Sequence, residues 1–264
     1  MKRMSLCSLA IVTLCAGASA QFDQFEWTLD NHGDMDVGVL PNIMYFNGDH
    51  ADAAGSVAVF TTSSPVAGRA TVSTYFWIEE LVCGSAKALT IFGNQATSFS
   101  NCSYSLPISL DVAEGQTFGF GMSESNPLWS ATLALTNFTF TPCWTPLGGA
   151  LAGTGGAPAL EGHGLLKPGI PFSVQLADAK PSSAVALVVG FTEANLPFKG
   201  GVLVPSPDAL LLGLASDANG DMNLASIWPA GVPAGFGFVA QGWITDPAGP
   251  HGFAASNAVK GFAP

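Results

Sequence analysis

Positive charge is what this chain has least of. Its 264 residues carry 8 Lys plus Arg against 19 Asp plus Glu, a formal net charge of −11. Lys2 and Arg3 sit at the very start, which leaves Arg69 and five scattered lysines in the rest of the chain. Nucleic-acid recognition needs clustered cations that displace counterions from phosphates, and no such cluster exists. An anionic membrane surface would repel a protein of this charge. Long apolar runs are also missing: beyond Leu6–Leu14 no stretch approaches the ~18 residues of a membrane-spanning helix. Charged residues make up only 10% and hydrophobic residues 48%, which is the reverse of a disordered chain.

Met1 to Ala20 has the zoning of a secretory leader. Lys2-Arg3 forms a positive start, Leu6–Leu14 an apolar run, and Ala18-Ser19-Ala20 a small-x-small cleavage site before Gln21. Leu14 precedes Cys15 where a lipid-attachment site needs Gly or Ala, so a lipid anchor is not expected. Cleavage at Ala20-Gln21 would leave a mature chain with no transmembrane segment, secreted, periplasmic or held at the cell surface. It would carry 6 basic and 19 acidic residues.

Gly (31) and Pro (18) are abundant and long helical periodicity is absent, so the expected fold is all-β with many turns. Residues 21–142 contain strand candidates at Phe25–Leu29, Val37–Phe46, Ser56–Thr61, Arg69–Trp77, Ala88–Phe92, Leu106–Val112, Thr117–Met122 and Ala131–Phe140. In the last of these, Thr132, Ala134, Thr136, Phe138 and Phe140 fall on one face by strict alternation. This spacing predicts a jelly-roll-like β-sandwich. Residues 143–157 read as a Gly-rich linker or entry segment. Residues 158–264 read as an immunoglobulin-like sandwich, with strands at Phe172–Leu176, Ala184–Phe191, Gly201–Val204, Leu210–Ala215, Met222–Ile227, Gly235–Ile244 and Ala254–Val259. Asn219-Gly220 is expected to turn a hairpin between Leu210–Ala215 and Met222–Ile227.

Three cysteines would survive leader cleavage. Cys83 and Cys102 lie in one domain and enclose a short loop, so they are the expected disulfide, worth about 3 kcal/mol if unstrained. Cys143 is left over. Asp30, Asp34 and Asp36, with Asp49 and Asp52 following, are candidate calcium ligands, although no Asp-x-Asn-x-Asp-Gly loop with its distal Glu is present. Asp217-Ala218-Asn219-Gly220-Asp221 resembles the start of such a loop, but its Gly stands one place early and Trp228 occupies the twelfth position. Tyr75, Trp77 and Trp129 are candidates for stacking on sugar faces, set against the core packing that large aromatics usually provide.

The C-terminal half also resembles a module that recurs in exported proteins of planctomycete bacteria. The matching pieces are Gly153-Thr154-Gly155-Gly156 with Pro158-Ala159-Leu160, Lys167-Pro168-Gly169, Pro197-Phe198-Lys199-Gly200-Gly201-Val202-Leu203-Val204-Pro205, Asp217 to Gly220, Pro229 to Gly235, Gln241, Asp246-Pro247 and Ser256-Asn257-Ala258. The resemblance implies an exported sandwich module. Where that pattern often carries Cys, this chain has Leu151 and Val202, so an apolar contact is expected there. The N-terminal half is similar to CUB and carbohydrate-binding jelly rolls through Pro65-Val66-Ala67-Gly68, Ala113-Glu114-Gly115-Gln116-Thr117-Phe118-Gly119-Phe120 and Leu135-Thr136-Asn137-Phe138.

No catalytic constellation is visible. Gly121-Met122-Ser123-Glu124-Ser125 lacks the final Gly of a nucleophile elbow. His32, His50, His163 and His251 stand alone in Gly-, Asp- or Pro-rich loops, and Glu79-Glu80 are strand neighbours that would point to opposite faces. Gly148–Gly156 has neither the Lys-Ser/Thr nor the following helix of a phosphate loop, so no cofactor is expected. The reading is an exported, non-catalytic structural or interaction protein whose partner is an extracellular protein or glycan. Its rivals are a glycan-binding, lectin-like protein acting through the N-terminal domain and a secreted hydrolase with a loop-assembled site.

Overall fold

A computed structural model describes residues 22–33, 35–48, 55–78, 86–93, 95–99, 103–125 and 130–264. The leader with its cleavage site, Cys83 and Cys102, Asp34, Asp49, His50, Asp52, Glu79, Glu80 and Trp129 lie outside the described residues. The described chain is all-β, with two single-turn 3-10 helices at Phe22–Gln24 and Pro250–Gly252.

The first ten strands are β1 (Thr28–His32), β2 (Asp36–Leu40), β3 (Ile43–Gly48), β4 (Ser56–Ser63), β5 (Gly68–Ile78), β6 (Ala86–Phe92), β7 (Gln95–Phe99), β8 (Ser103–Val112), β9 (Thr117–Glu124) and β10 (Ala131–Pro142). They form two antiparallel sheets, ordered β1-β4-β9-β6-β7 and β2-β3-β10-β5-β8. The cores of these sheets, β4-β9-β6-β7 and β3-β10-β5-β8, have the strand order of a jelly roll, with β1 and β2 added at one edge of each. The stretch expected as one strand, Val37–Phe46, is two: Pro41 and Asn42 turn it into a hairpin that pairs Leu40 with Ile43.

Alternating burial along β4 and β5 shows why these segments are strands: one side of each enters the core and the other does not. The core is largely rings. Phe22 stacks on Phe138 at 4.8 Å, and Phe25 meets Phe118, Phe138 and Phe140 edge-on. Trp27 meets Phe118 and Phe138 the same way. Packing Phe25 and Trp27 into this cluster moves the first strand to Thr28, later than the expected Phe25. Strict alternation also fails in β10. Its register shifts between Thr136 and Thr139, where Asn137 has φ 54°. This bulge reverses the parity: Leu133 and Leu135 face inward, and so does Phe138, while Thr132, Ala134 and Thr136 face out.

The remaining strands are β11 (Trp144–Pro146), β12 (Ala159–His163), β13 (Pro171–Ala177), β14 (Ala184–Gly190), β15 (Glu193–Phe198), β16 (Gly201–Pro205), β17 (Ala209–Ala215), β18 (Met222–Ile227), β19 (Gly237–Thr245) and β20 (Phe253–Phe262). No hydrogen-bonded sheet mixes them with β1–β10. A five-stranded sheet, β11-β20-β19-β14-β17, packs against a three-stranded one, β12-β13-β18, in an immunoglobulin-like order. The hairpin β15-β16 is inserted between β14 and β17 and covers the outer side of the larger sheet, where Leu203 joins Val188, Trp243 and Ala255. Gly201–Val204 is therefore a hairpin arm and not a strand of either main sheet. β17 and β18 belong to different sheets, so Asp217–Asp221 is a crossing turn and not the hairpin expected. The Asp217 carboxylate accepts from the backbone N–H groups of Asn219 and Asp221, and these bonds hold its pKa below the ordinary value.

The Gly-rich stretch is tied to the larger sheet along its length. Leu147 and Gly148 exchange backbone bonds with Ala258, and Leu151 does so with Ala255. Two polar side chains hold it from below, and a third, Asn257, ties the strand that follows it. Buried Gln241 donates to the carbonyls of Gly149, Val202 and Ser256 and accepts from Val204 N–H. Asp246 accepts from the N–H and hydroxyl of Thr154, at 2.6 Å each. Asn257 accepts from Leu160 N–H and donates to its carbonyl, tying β12 to β20. Leu151 lies against Gly201, the residue before Val202.

Candidate functional site

The outer face of the sheet β2-β3-β10-β5-β8 is where the sequence-level candidates come together. On β5 the residues Val72, Thr74, Phe76 and Ile78 are buried, which turns Ser73, Tyr75 and Trp77 outward. Tyr75 is 55% exposed and Trp77 40%. Core packing, the role large aromatics usually take, is thereby corrected for both. The sandwich core on the other side of β5 is already filled by Phe76 and its neighbours. Residues i and i+2 on a strand lie about 7 Å apart, so the two rings stand side by side on one surface.

Their surroundings follow from the register. Across β10, Ala134 stands opposite Tyr75 and Thr132 opposite Trp77. On β3, Tyr45 stands opposite Ala134 and Asn47 opposite Thr132. On β8, Ser105 stands opposite Tyr75. Tyr45 is half-buried because its ring lies over Gly38 of β2, where a Cβ would come within 2.6 Å of the ring. Strands are about 4.8 Å apart, so Tyr45 and Tyr75 flank the small side chain of Ala134 across a gap of roughly 10 Å. Tyr45 was not among the residues singled out from sequence. The alternation Met44-Tyr45-Phe46, with buried neighbours on both sides, is the signal that could have found it. The rest of the face carries hydroxyls and amides: Thr71 and Thr139 bond to each other, and Asn137 donates to Ser73. A surface of ring faces between hydroxyl and amide groups can stack on the apolar face of a sugar and bond to its hydroxyls.

The other candidates do not converge. Asp30 lies on edge strand β1 and Asp36 on edge strand β2, in different sheets. Asp30 instead pairs with His32 at 2.9 Å, with both side chains exposed. Among the described residues no three His, Cys, Asp or Glu side chains are grouped to hold a metal ion. Ser123 sits inside β9, paired with Val57 and Lys87, and not on a strand-to-helix turn. His163 lies between Glu114 at 3.3 Å and Glu161 at 3.7 Å, and His251 lies in the Pro250–Gly252 turn.

Where the two sandwiches meet, Ala67 and Ala113 pack against the second core beside a charged cluster. Asp111 of β8 accepts from Arg69 at 2.6 Å and from Lys167 at 2.8 Å. Burial pushes its carboxyl up, but those two cations more than offset this and hold it below the ordinary carboxylate range. Cys143 is fully buried beside this cluster. Its N–H donates to Ala67 and its carbonyl accepts from Phe262, and burial raises its thiol pKa.

No family model matches the chain. No curated protein matches it either. Among solved structures, a CBM22-1–CBM22-2 tandem domain from Paenibacillus barcinonensis Xyn10C is 10% identical, with 94% of this chain and 89% of that one covered and a TM-score of 0.28. A Parabacteroides merdae β-glucuronidase is 9% identical over 78% of this chain and 27% of its own, with a TM-score of 0.21. A Paenibacillus xanthan lyase is 13% identical over 93% of this chain and 26% of its own, with a TM-score of 0.28.

Proposed function

We propose that this is an exported, non-catalytic glycan-binding protein. The face built on Tyr45, Tyr75 and Trp77 is its binding surface, and the C-terminal sandwich is an accessory or surface-association module. The observation that carries the reading is the exposure of Tyr75 and Trp77 on one side of β5, a strand paired on both edges. Large rings left in water at adjacent outward positions cost apolar exposure with no gain in folding, and an occupant with an apolar face recovers that cost. The flanking Ser, Thr and Asn side chains supply the hydrogen bonds such an occupant needs. Export rests on the zoning of residues 1–20.

The test is a glycan array probed with the chain from Gln21 to Pro264, with calcium and with chelator. The expected result is saturable binding that survives chelation and is lost in Tyr75→Ala and Trp77→Ala variants of unchanged fold. A blank array, or binding that both variants retain, would overturn the proposal.

A further inference from the structure

We infer that the open side of the C-terminal sandwich, between β17 and β18, is a docking groove for an extended cationic segment of a partner protein, bound by strand addition. The two sheets of this sandwich are unequal. β17 is the last strand of the larger sheet and β18 the last of the smaller one, and no described strand pairs with the far edge of either. The smaller sheet has two strands fewer than the larger, and none of this chain's described strands continues it beyond β18. The core-facing side of β17 is consequently uncovered. Leu211, which pairs with core residue Leu187, is 43% exposed, and Leu214 and Leu224 are only partly buried at the rim. Natural edge strands are usually guarded by Lys, Pro, a bulge or a covering loop; β17 reads Ala-Leu-Leu-Leu-Gly-Leu-Ala, and of these devices it has only a bulge, where its register with β14 shifts beside Gly213. Strand addition satisfies the free backbone groups of such an edge and reads alternate side chains of the guest.

Charge selects the guest. A groove of about 790 Å³ runs from Leu214 of β17 past Met222 and Leu224 to the outer side of β12 and β13. Its ionisable lining residues are Glu161, Asp178, Asp217 and Asp221, and no Lys, Arg or His lines it. A second copy of this chain would bring the same carboxylates face to face on a molecule already at −11. A guest strand with apolar residues toward Leu211 and Leu214, and Lys or Arg toward the carboxylates, matches both features. This surface is separate from the aromatic face of the first sandwich and does not depend on it.

The experiment is selection of the full mature chain against a displayed library of random segments of about eight residues, a common strand length. It is followed by titration of the enriched peptides and by sedimentation of the protein alone. The expected enrichment alternates apolar residues with Lys or Arg. Binding should weaken about tenfold in Asp178→Asn/Asp221→Asn and become less salt-sensitive. Asn tolerates the positive φ of Asp178, so that variant should keep its fold. Leu211→Lys, at an exposed position on β17 beside the groove, should repel the cationic guest with an unchanged unfolding midpoint. Enrichment of acidic or patternless peptides, no enrichment, or affinities unmoved by both variants would overturn the inference. Concentration-dependent dimerisation abolished by Leu211→Lys would overturn it too, by making a second copy the occupant.

Discussion

Both sandwiches are held by rings, in the second by Trp144, Phe172, Trp228 and Phe238, but the second adds polar clamps. Phe22, Phe25, Trp27, Phe118 and Phe138 meet in one cluster between the sheets of the jelly roll. In the C-terminal sandwich, Gln241, Asp246 and Asn257 bind backbone groups of segments far away in sequence. The difference follows from what each region has to hold. Strands with large alternate side chains are positioned by burial, which is non-directional but large. A Gly-rich stretch such as Leu147–Gly156 has little side-chain area to bury, so directional hydrogen bonds must fix its course. Gln241, Asp246 and Asn257 are among the residues from which a resemblance to an exported bacterial module was expected, and here they are these clamps. Their positions are explained by holding the fold together.

The largest expected effect of breaking this contrast is in the ring cluster. Phe138→Ala removes a fully buried ring with contacts to Phe22, Phe25 and Trp27, and should cost about 4 kcal/mol in urea unfolding. Gln241→Ala comes next. It leaves three carbonyls and the Val204 N–H without their partner in a buried site, and should cost about 3 kcal/mol and expose the Gly-rich stretch to amide exchange. A loss confined to the first sandwich in one variant and to the second in the other would sharpen the comparison. Equal loss of both in both variants would break it.

The junction gives a smaller, pH-dependent effect. Asp111 has a folded-state pKa below its unfolded value near 4. Its stabilisation is therefore complete above that unfolded value and is lost as pH falls through the folded one. Asp111→Asn should cost about 1 kcal/mol at neutral pH, since Lys167 is half-exposed and screened, and should flatten the acid limb of the stability curve. A variant whose acid limb matches that of the parent chain would contradict this role. Smallest of all, Tyr75→Ala and Trp77→Ala should each change stability by no more than about 0.5 kcal/mol, as outward positions do.

Much of the fold was legible because both sandwiches are built from short alternating strands separated by turn residues. Period two along β5 puts Tyr75 and Trp77 on a common face. Which face would be buried was not legible, because that depends on which strands pair beside β5 and on what already fills the core. The bulge at Asn137 was hidden for a related reason: period-two counting cannot register one inserted residue, although Asn is a residue that tolerates φ 54°. The Pro41-Asn42 turn was overlooked inside an apolar run. The tethering of the Gly-rich stretch was invisible because its partners lie about 90 residues away, as in Gln241 to Gly149. Asp30 and Asp36 are close in sequence but separate into different sheets, a division that adjacency alone cannot reveal.

The measurement that bears most directly on the central claim is a binding titration of the parent chain and of Tyr75→Ala/Trp77→Ala with the best array glycan, alongside unfolding curves of both. Superimposable unfolding is expected, with a loss of binding of at least about tenfold in the double variant, set by removal of two stacking rings. Undiminished binding by a double variant that is still folded would contradict it and remove the aromatic face from function.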